Sequence, residues 1–177
     1  MKHLITILLC HLSLNMFAPV IVLDRLDFSL NEMIEKEAGV TIPEWVDQEH
    51  IRLMYNEAVK HDVPIRIMFR LVYAESSFIH DAVSPKKAYG YMQIIPSTYA
   101  YLLDKLSMPA CTPHTPELNI KLGVGYLYYL REIMLKNGYA GWDVTLASYN
   151  AGVGRVLRKG GIPDIPETIK YVTFINQ

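Results

Sequence analysis

The sequence predicts one mainly helical domain, and three observations carry that reading. First, apolar residues recur at helical spacing: Ile65, Met68, Phe69 and Val72 form one stripe of the segment Ile65–Ser76. Second, helix-start chemistry recurs along the chain. In Thr115-Pro116-Glu117 a capping hydroxyl precedes a proline at the first helical position and an acid in the first turn. Pro64 and Pro166 suit the first turns of two further helices. Third, 177 residues at 51% apolar content can bury one core and leave room for a short appendage.

The elements follow in order. Residues 1–18 read as a secretory signal peptide: Lys2 and His3 precede the apolar run Leu4–Cys10, which continues loosely to Ala18. The run is too short to span a bilayer. Cleavage after Ala18 is expected, although Met16 stands where a small residue is preferred, and Leu9 before Cys10 does not fit a lipoprotein site. Residues 19–47 form an N-terminal extension, in which Ser29-Leu30-Asn31-Glu32 reads as a capping box and Gly39 as a stop, giving a helix over about 30–38. The domain proper is 48–177. It opens with a helix over Gln48–Lys60, followed by one from Pro64 to Ser76. Segment 80–93 lacks a helical period and is punctuated by Pro85 and Gly90, so it reads as a loop with a short strand pair. Helices are expected from Pro96 to about Leu106, from Pro116 onward, over Trp142–Ala151, and from Pro166 to the end. The helix after Thr115 places Ile120, Gly123, Leu127, Leu130 and Met134 on one buried face.

Charge is nearly balanced, with 17 basic and 18 acidic residues and no basic block, which argues against nucleic acid as a partner. Cys10 and Cys111 are the two cysteines, so loss of the leader leaves Cys111 alone and the core must hold the fold. The six histidines show no ligand spacing, and neither metal nor cofactor is expected.

Glu75 is the residue that points to chemistry. It ends an otherwise apolar helix pattern, at the edge of the stripe beside Met68, Leu71 and Val72. A carboxyl there is partly stripped of water, which raises its pKa. An acid protonated near neutral pH is what cleavage of a glycosidic bond requires.

Several short motifs accompany it in order: Glu75-Ser76; Gly90-Tyr91-Met92-Gln93-Ile94 with Pro96-Ser97-Thr98; Asn119-Ile120 with Gly123 and Tyr126-Leu127; Ser148-Tyr149-Asn150-Ala151-Gly152; and Pro166-Glu167-Thr168 with Tyr171-Val172. Together, over about residues 50–172, they resemble the catalytic domain of bacterial lytic transglycosylases of the goose-lysozyme-like, soluble type. The resemblance implies a lysozyme-like helical fold with a substrate cleft. It implies cleavage of the β-1,4 bond between N-acetylmuramic acid and N-acetylglucosamine in peptidoglycan, leaving 1,6-anhydro ends. Glu75 matches the family's acid/base. Tyr91, Met92 and Gln93 match the wall that contacts the sugar, Tyr149 and Asn150 the motif beside the acid, and Tyr171 the aromatic residue closing the site. Ser84 matches a hydroxyl near the substrate. Two motifs depart from the family pattern: Tyr91 and Ser148 stand where leucine and alanine are usual.

No second acid has an obvious place opposite Glu75. Asp81 is closest in sequence, whereas Glu117, Asp143 and Glu167 read as first-turn acids that complement helix dipoles. Two alternatives stay open: a hydrolytic muramidase, which would need a second carboxylate, and a non-catalytic wall-binding assembly module. The expected partners are peptidoglycan glycan strands and, by family analogy, an envelope secretion, conjugation or pilus apparatus. The expected place is the periplasm or cell envelope.

Overall fold

The computed structural model describes residues 21–105 and 115–177, with side chains from residue 30. The expected leader and the loop carrying Cys111 lie outside the described residues. The chain divides into two units, 1–33 and 34–177. In the first, residues 21–33 are helical, as the start of α1 (Ile21–Ala38). The capping-box reading is therefore corrected: Ser29 lies inside a helix that is already running. No Gly or Pro interrupts residues 21–29, and extending a helix costs far less than nucleating one. The stop was placed correctly, since Gly39 has φ +63° and its N–H donates to the Glu35 carbonyl at 2.8 Å.

The second unit holds α2 (Gln48–Lys60), α3 (Ile65–Ser76), α4 (Pro96–Lys105), α5 (Pro116–Lys136), α6 (Trp142–Ala151), α7 (Val153–Lys159) and α8 (Pro166–Asn176). The side chain of Thr115 accepts from Leu118 N–H at the start of α5, as its sequence predicts. Helix α7 was not foreseen. Gly152, with φ +91°, turns the chain sharply after α6, and a new helix begins at once.

Helix α3 is central, packing on α2 and on α8. That position explains a second correction. Ile67 and Leu71 are fully buried along with Met68, Phe69 and Val72, whereas Ile65 is half-buried. A helix covered on two sides buries more than one stripe. Each such side chain contributes roughly 1.5–3 kcal/mol on burial.

Two arginines set the pairing of α3 with α8. Arg66 donates to the Ile175 carbonyl at 3.1 Å, and Arg70 donates to the Phe174 carbonyl at 2.9 Å and to the Ala38 carbonyl. Cations at the last carbonyls of α8 satisfy acceptors that the helix itself leaves open. These contacts run antiparallel, so the C-terminal end of α3, with Glu75, meets the N-terminal half of α8, with Tyr171.

The segment between α3 and α4 makes two isolated antiparallel bridges, Val83 with Tyr89 and Tyr89 with Ile94. Both bridges are isolated and no strand forms among the described residues, so the short strand pair expected of residues 80–93 is corrected to a loop with two single bridges. It is pinned from two sides. Ser76 Oγ donates to the Tyr91 carbonyl at 3.0 Å from α3. From α5, Asn119 accepts from Met92 N–H at 2.9 Å and donates to the Tyr89 carbonyl at 2.8 Å. Gly90 lets Asn119 come close: a Cβ there would sit 2.6 Å from Asn119 Cγ, at a φ of +76° that favours glycine. One turn along α5, Gly123 packs directly against Met92. Asn119 and Gly123 are four residues apart and share a helix face, one holding the loop backbone and the other seating a loop side chain.

Candidate active site

A cavity of about 580 Å³ opens between the pinned loop, the start of α4, the end of α6 and the start of α8. Glu75, Ser84, Gln93, Tyr149, Asn150 and Glu167 are among its lining residues. Glu75 projects from the last turn of α3, where the chain leaves the helix through Ser77 and Phe78 at φ +51° and +65°. Burial raises its pKa from the ordinary 4.5 to about 7. The Tyr171 hydrogen bond opposes this rise, and the Glu167 charge adds to it.

Tyr171 donates its hydroxyl to Glu75 Oε1 at 2.6 Å from the middle of α8. Burial and then the Glu75 charge push the Tyr171 phenol well above the usual tyrosine range, so it stays a donor. Tyr149 is held neutral by the same two causes, and its hydroxyl donates to the Met92 carbonyl at 2.7 Å. Asn150 accepts from Thr168 Oγ1 at 2.7 Å, which ties the end of α6 to α8. Arg70 faces away to its two carbonyls and the Phe174 ring, so it does not neutralise Glu75.

Ser84 and Gln93 line the cavity and also hold its wall. Ser84 Oγ accepts from Ala88 N–H at 3.0 Å. Gln93, at φ +45°, donates its amide to the Ala82 and Gly90 carbonyls, each at 3.0 Å. Tyr91 and Met92, expected against the sugar, are placed differently. Tyr91 is 1% exposed, with its hydroxyl 3.1 Å from His50 Nδ1, and Met92 is 0% exposed against Gly123. Neither side chain has surface left to meet a ligand. A loop without periodicity gives no way to tell inward from outward positions, and the structure assigns Gln93 to the cavity and its two predecessors to the core.

The acids also fall differently from the expectation. Asp81 is exposed and is absent from the cavity lining, whereas Glu167 is part of it. The first-turn position of Glu167 on α8 explains its dipole role, but that same turn abuts the cavity. Thr98, Tyr126, Lys86 and Arg155 also line it and had not been singled out as site residues. Tyr126 could have been found from its place in the Tyr126-Leu127 motif, one turn past Gly123 on α5. Among the described residues no group of three or more His, Cys, Asp or Glu side chains is arranged to hold a metal ion.

The chain is 30% identical over 118 residues to the soluble lytic murein transglycosylase of Escherichia coli, covering 62% of this chain and 18% of that one. It is 30% identical over 128 residues to the membrane-bound lytic murein transglycosylase C of Yersinia pestis, covering 66% and 36%. It thus spans between a fifth and about a third of the length of these relatives. An inactive mutant of the lytic transglycosylase Slt from Pseudomonas aeruginosa superposes with a TM-score of 0.64 at 22% identity, over 85% of this chain and 28% of that one. The 70 kDa soluble lytic transglycosylase of E. coli gives 0.61 at 23%, over 87% and 27%. These structures establish the lysozyme-like helical fold. The family model described as the transglycosylase SLT domain matches residues 52–172, and the chain belongs to that family.

Proposed function

We propose that this chain is a peptidoglycan lytic transglycosylase that cuts the MurNAc–GlcNAc β-1,4 bond and leaves 1,6-anhydro-MurNAc ends. The observation that carries the reading is Glu75: a half-buried carboxyl raised to about 7, hydrogen-bonded by Tyr171, at a cavity large enough for a saccharide. Protonated, Glu75 gives its proton to the leaving glycosidic oxygen as the C1–O bond breaks. The muramoyl acetamido oxygen shares the positive charge that develops at C1. Glu75, now a carboxylate, takes the proton from the sugar's 6-hydroxyl as that oxygen closes on C1. The acid is thereby regenerated without water. The Tyr171 hydrogen bond steadies the carboxylate during its charged interval.

Hydrolysis is the second reading, and Glu167 is what favours it, since a second carboxylate in the cavity could activate water. Mass spectrometry of muropeptides released from purified murein separates the two. Anhydro ends are expected, and Asp81→Asn, Glu117→Gln and Asp143→Asn should leave turnover close to wild type. A first-turn acid removed from a helix costs about 0.3–1 kcal/mol of stability and no chemistry. Reducing ends from wild type, with Glu167→Gln folded but inactive at every pH, would establish the hydrolase instead. Zymography that shows no lysis by wild type would leave the wall-binding module.

The pH profile gives a further check. Turnover should fall as pH rises through about 7, because Glu75 loses the proton that the first step needs. Glu167→Gln removes a negative charge that raises the Glu75 pKa, so the falling limb should move to lower pH. Tyr171→Phe removes a hydrogen bond that lowers it, so the limb should move to higher pH. Two shifts of the same sign would contradict this placement of the groups.

The substrate lies in the envelope, and the first eighteen residues read as an export signal, so we place the protein in the periplasm or cell envelope. Among the described residues no helix is long and apolar enough to cross a membrane. Family analogy supports local wall opening for a secretion, conjugation or pilus apparatus.

A further inference from the structure

Three helices meet at one side chain. Arg70, half-buried in the middle of α3, donates Nε to the carbonyl of Ala38, the last residue of α1, and Nη1 to the Phe174 carbonyl near the end of α8 at 2.9 Å. Its Cζ also lies 5.9 Å from the centre of the Phe174 ring, which lies 5.7 Å from the ring of Tyr73. The stretch that supplies the Ala38 carbonyl is itself held. Ile34 and Ala38 are fully buried, Gly39 N–H closes on the Glu35 carbonyl, and the Glu35 carboxylate accepts from Ile42 N–H at 2.6 Å. Gly39 leaves room for the guanidinium: a Cβ there would stand 3.1 Å from Arg70 Nη2. Both acceptor carbonyls lie outside residues 52–172, whereas Arg70, Glu75 and Tyr171 lie within them.

The two helices that Arg70 joins also carry the acid and its donor. Tyr171 stands one turn before Phe174 on α8, and Glu75 stands five residues beyond Arg70 on α3. The bond from Tyr171 to Glu75 is 2.6 Å long, and lengthening it by about 1 Å ends it. We propose that Arg70 is a positioning residue for the reaction: by tying the end of α1 to the end of α8 it holds Tyr171 on Glu75, so that the end of α1 governs the geometry of the acid. The inference rests on Glu75 as the acid of the proposed function and adds a third helix to what sets it. A planar guanidinium with donors in fixed directions can hold carbonyls of two separate helices at one angle, whereas an ammonium on a flexible stem cannot.

The test is the titration of Glu75 itself, read in the full chain by carbon-13 NMR of the glutamate carboxyls, with Glu75→Gln identifying its signal. Tyr171 and Glu167 of α8 and Tyr149 of α6 face Glu75, and Lys86 and Arg155 line the same cavity. The Tyr171 bond lowers the Glu75 pKa, so its loss raises it. Arg70→Lys keeps the charge and loses the fork, and it should move the Glu75 midpoint up by about one pH unit, the worth of one hydrogen bond. In a Tyr171→Phe background the same substitution should move it no further. Gly39→Ala leaves Arg70 in place but presses a methyl group on its guanidinium. It should move the midpoint the same way, again only when Tyr171 is present, and it serves if Arg70→Lys fails to fold. The falling limb of the turnover profile should follow the midpoint. A midpoint unchanged by both variants in folded protein, or an equal shift with and without Tyr171, would overturn the role of Arg70. Lysis of murein by the wild-type chain is measured separately, so an inactive wild type would refute the activity while the titration still decided the positioning.

Discussion

Glu75→Gln should abolish release of muropeptides from murein while leaving the helical content intact. General acid–base catalysis is worth about 10²–10⁴ in rate, and here one group serves as acid in the first step and base in the second, so the loss should reach the top of that range or pass it. Gln keeps the shape and still accepts the Tyr171 hydroxyl, so the cavity wall should not move. Stability gives an independent reading. A carboxyl whose native pKa stands at about 7 against 4.5 holds its proton more tightly folded than unfolded. It therefore costs stability as pH rises from about 4.5 through 7, by up to about 3 kcal/mol at higher pH. Gln carries no such cost. Thermal melts should show Glu75→Gln more stable than wild type at pH 8 and little different at pH 4. An active Glu75→Gln variant, or one destabilised at pH 8, would remove Glu75 from its role.

That stability cost is also the reason for expecting function at this position. A half-buried acid with an unfavourable charged form, beside a second carboxylate and with Arg70 turned away to the Ala38 and Phe174 carbonyls, serves folding poorly. Sites that lower stability in return for chemistry are where local rules of folding are broken.

Much of this was legible in the sequence because the signals were local. Proline, threonine and acid at residues 115–117 state a helix start without reference to anything distant, and Gly39 states a stop. The apolar setting of Glu75 was readable from its own helix. What could not be read was direction. Ser84, Gln93, Tyr91 and Met92 share one aperiodic loop, and the pins at Ser76 and Asn119 decide which of them face the cavity. Those pins come from α3 and α5, far away in sequence. Glu167 was hidden for a similar reason: its dipole role is visible locally, whereas its nearness to Glu75 depends on Arg66 and Arg70 setting the pairing of α3 with α8. The long α1 was missed because a good capping sequence at Ser29 does not prevent a helix from starting earlier.

The pinned loop yields the second large effect. Gly123→Val should lower both stability and turnover although residue 123 lies outside the cavity lining. A Cβ at this position falls well inside van der Waals contact with Met92 Cβ and Cγ, and valine adds two methyl groups to it. Met92 is fully buried and close to the backbone that bears the contact, so the loop itself must shift. Overpacking of this kind costs about 1–3 kcal/mol, and displacing Met92 also strains two hydrogen bonds, a buried one from its N–H to Asn119 and a part-buried one from Tyr149 to its carbonyl. At a total of about 3 kcal/mol, the melting temperature should fall by roughly 6–12 °C. Gln93 and Ser84 move with the loop, so turnover should fall even at temperatures where the variant remains folded, with the pH limb set by Glu75 unchanged. The decisive measurement is the double variant. Met92→Ala removes the Cγ contact and the rest of the side chain while keeping Cβ, so Gly123→Val with Met92→Ala should lose less stability than the two single losses added together. If the two losses simply added, Gly123 would not be the seat of Met92, and the link from α5 through the loop to the cavity would have to be abandoned.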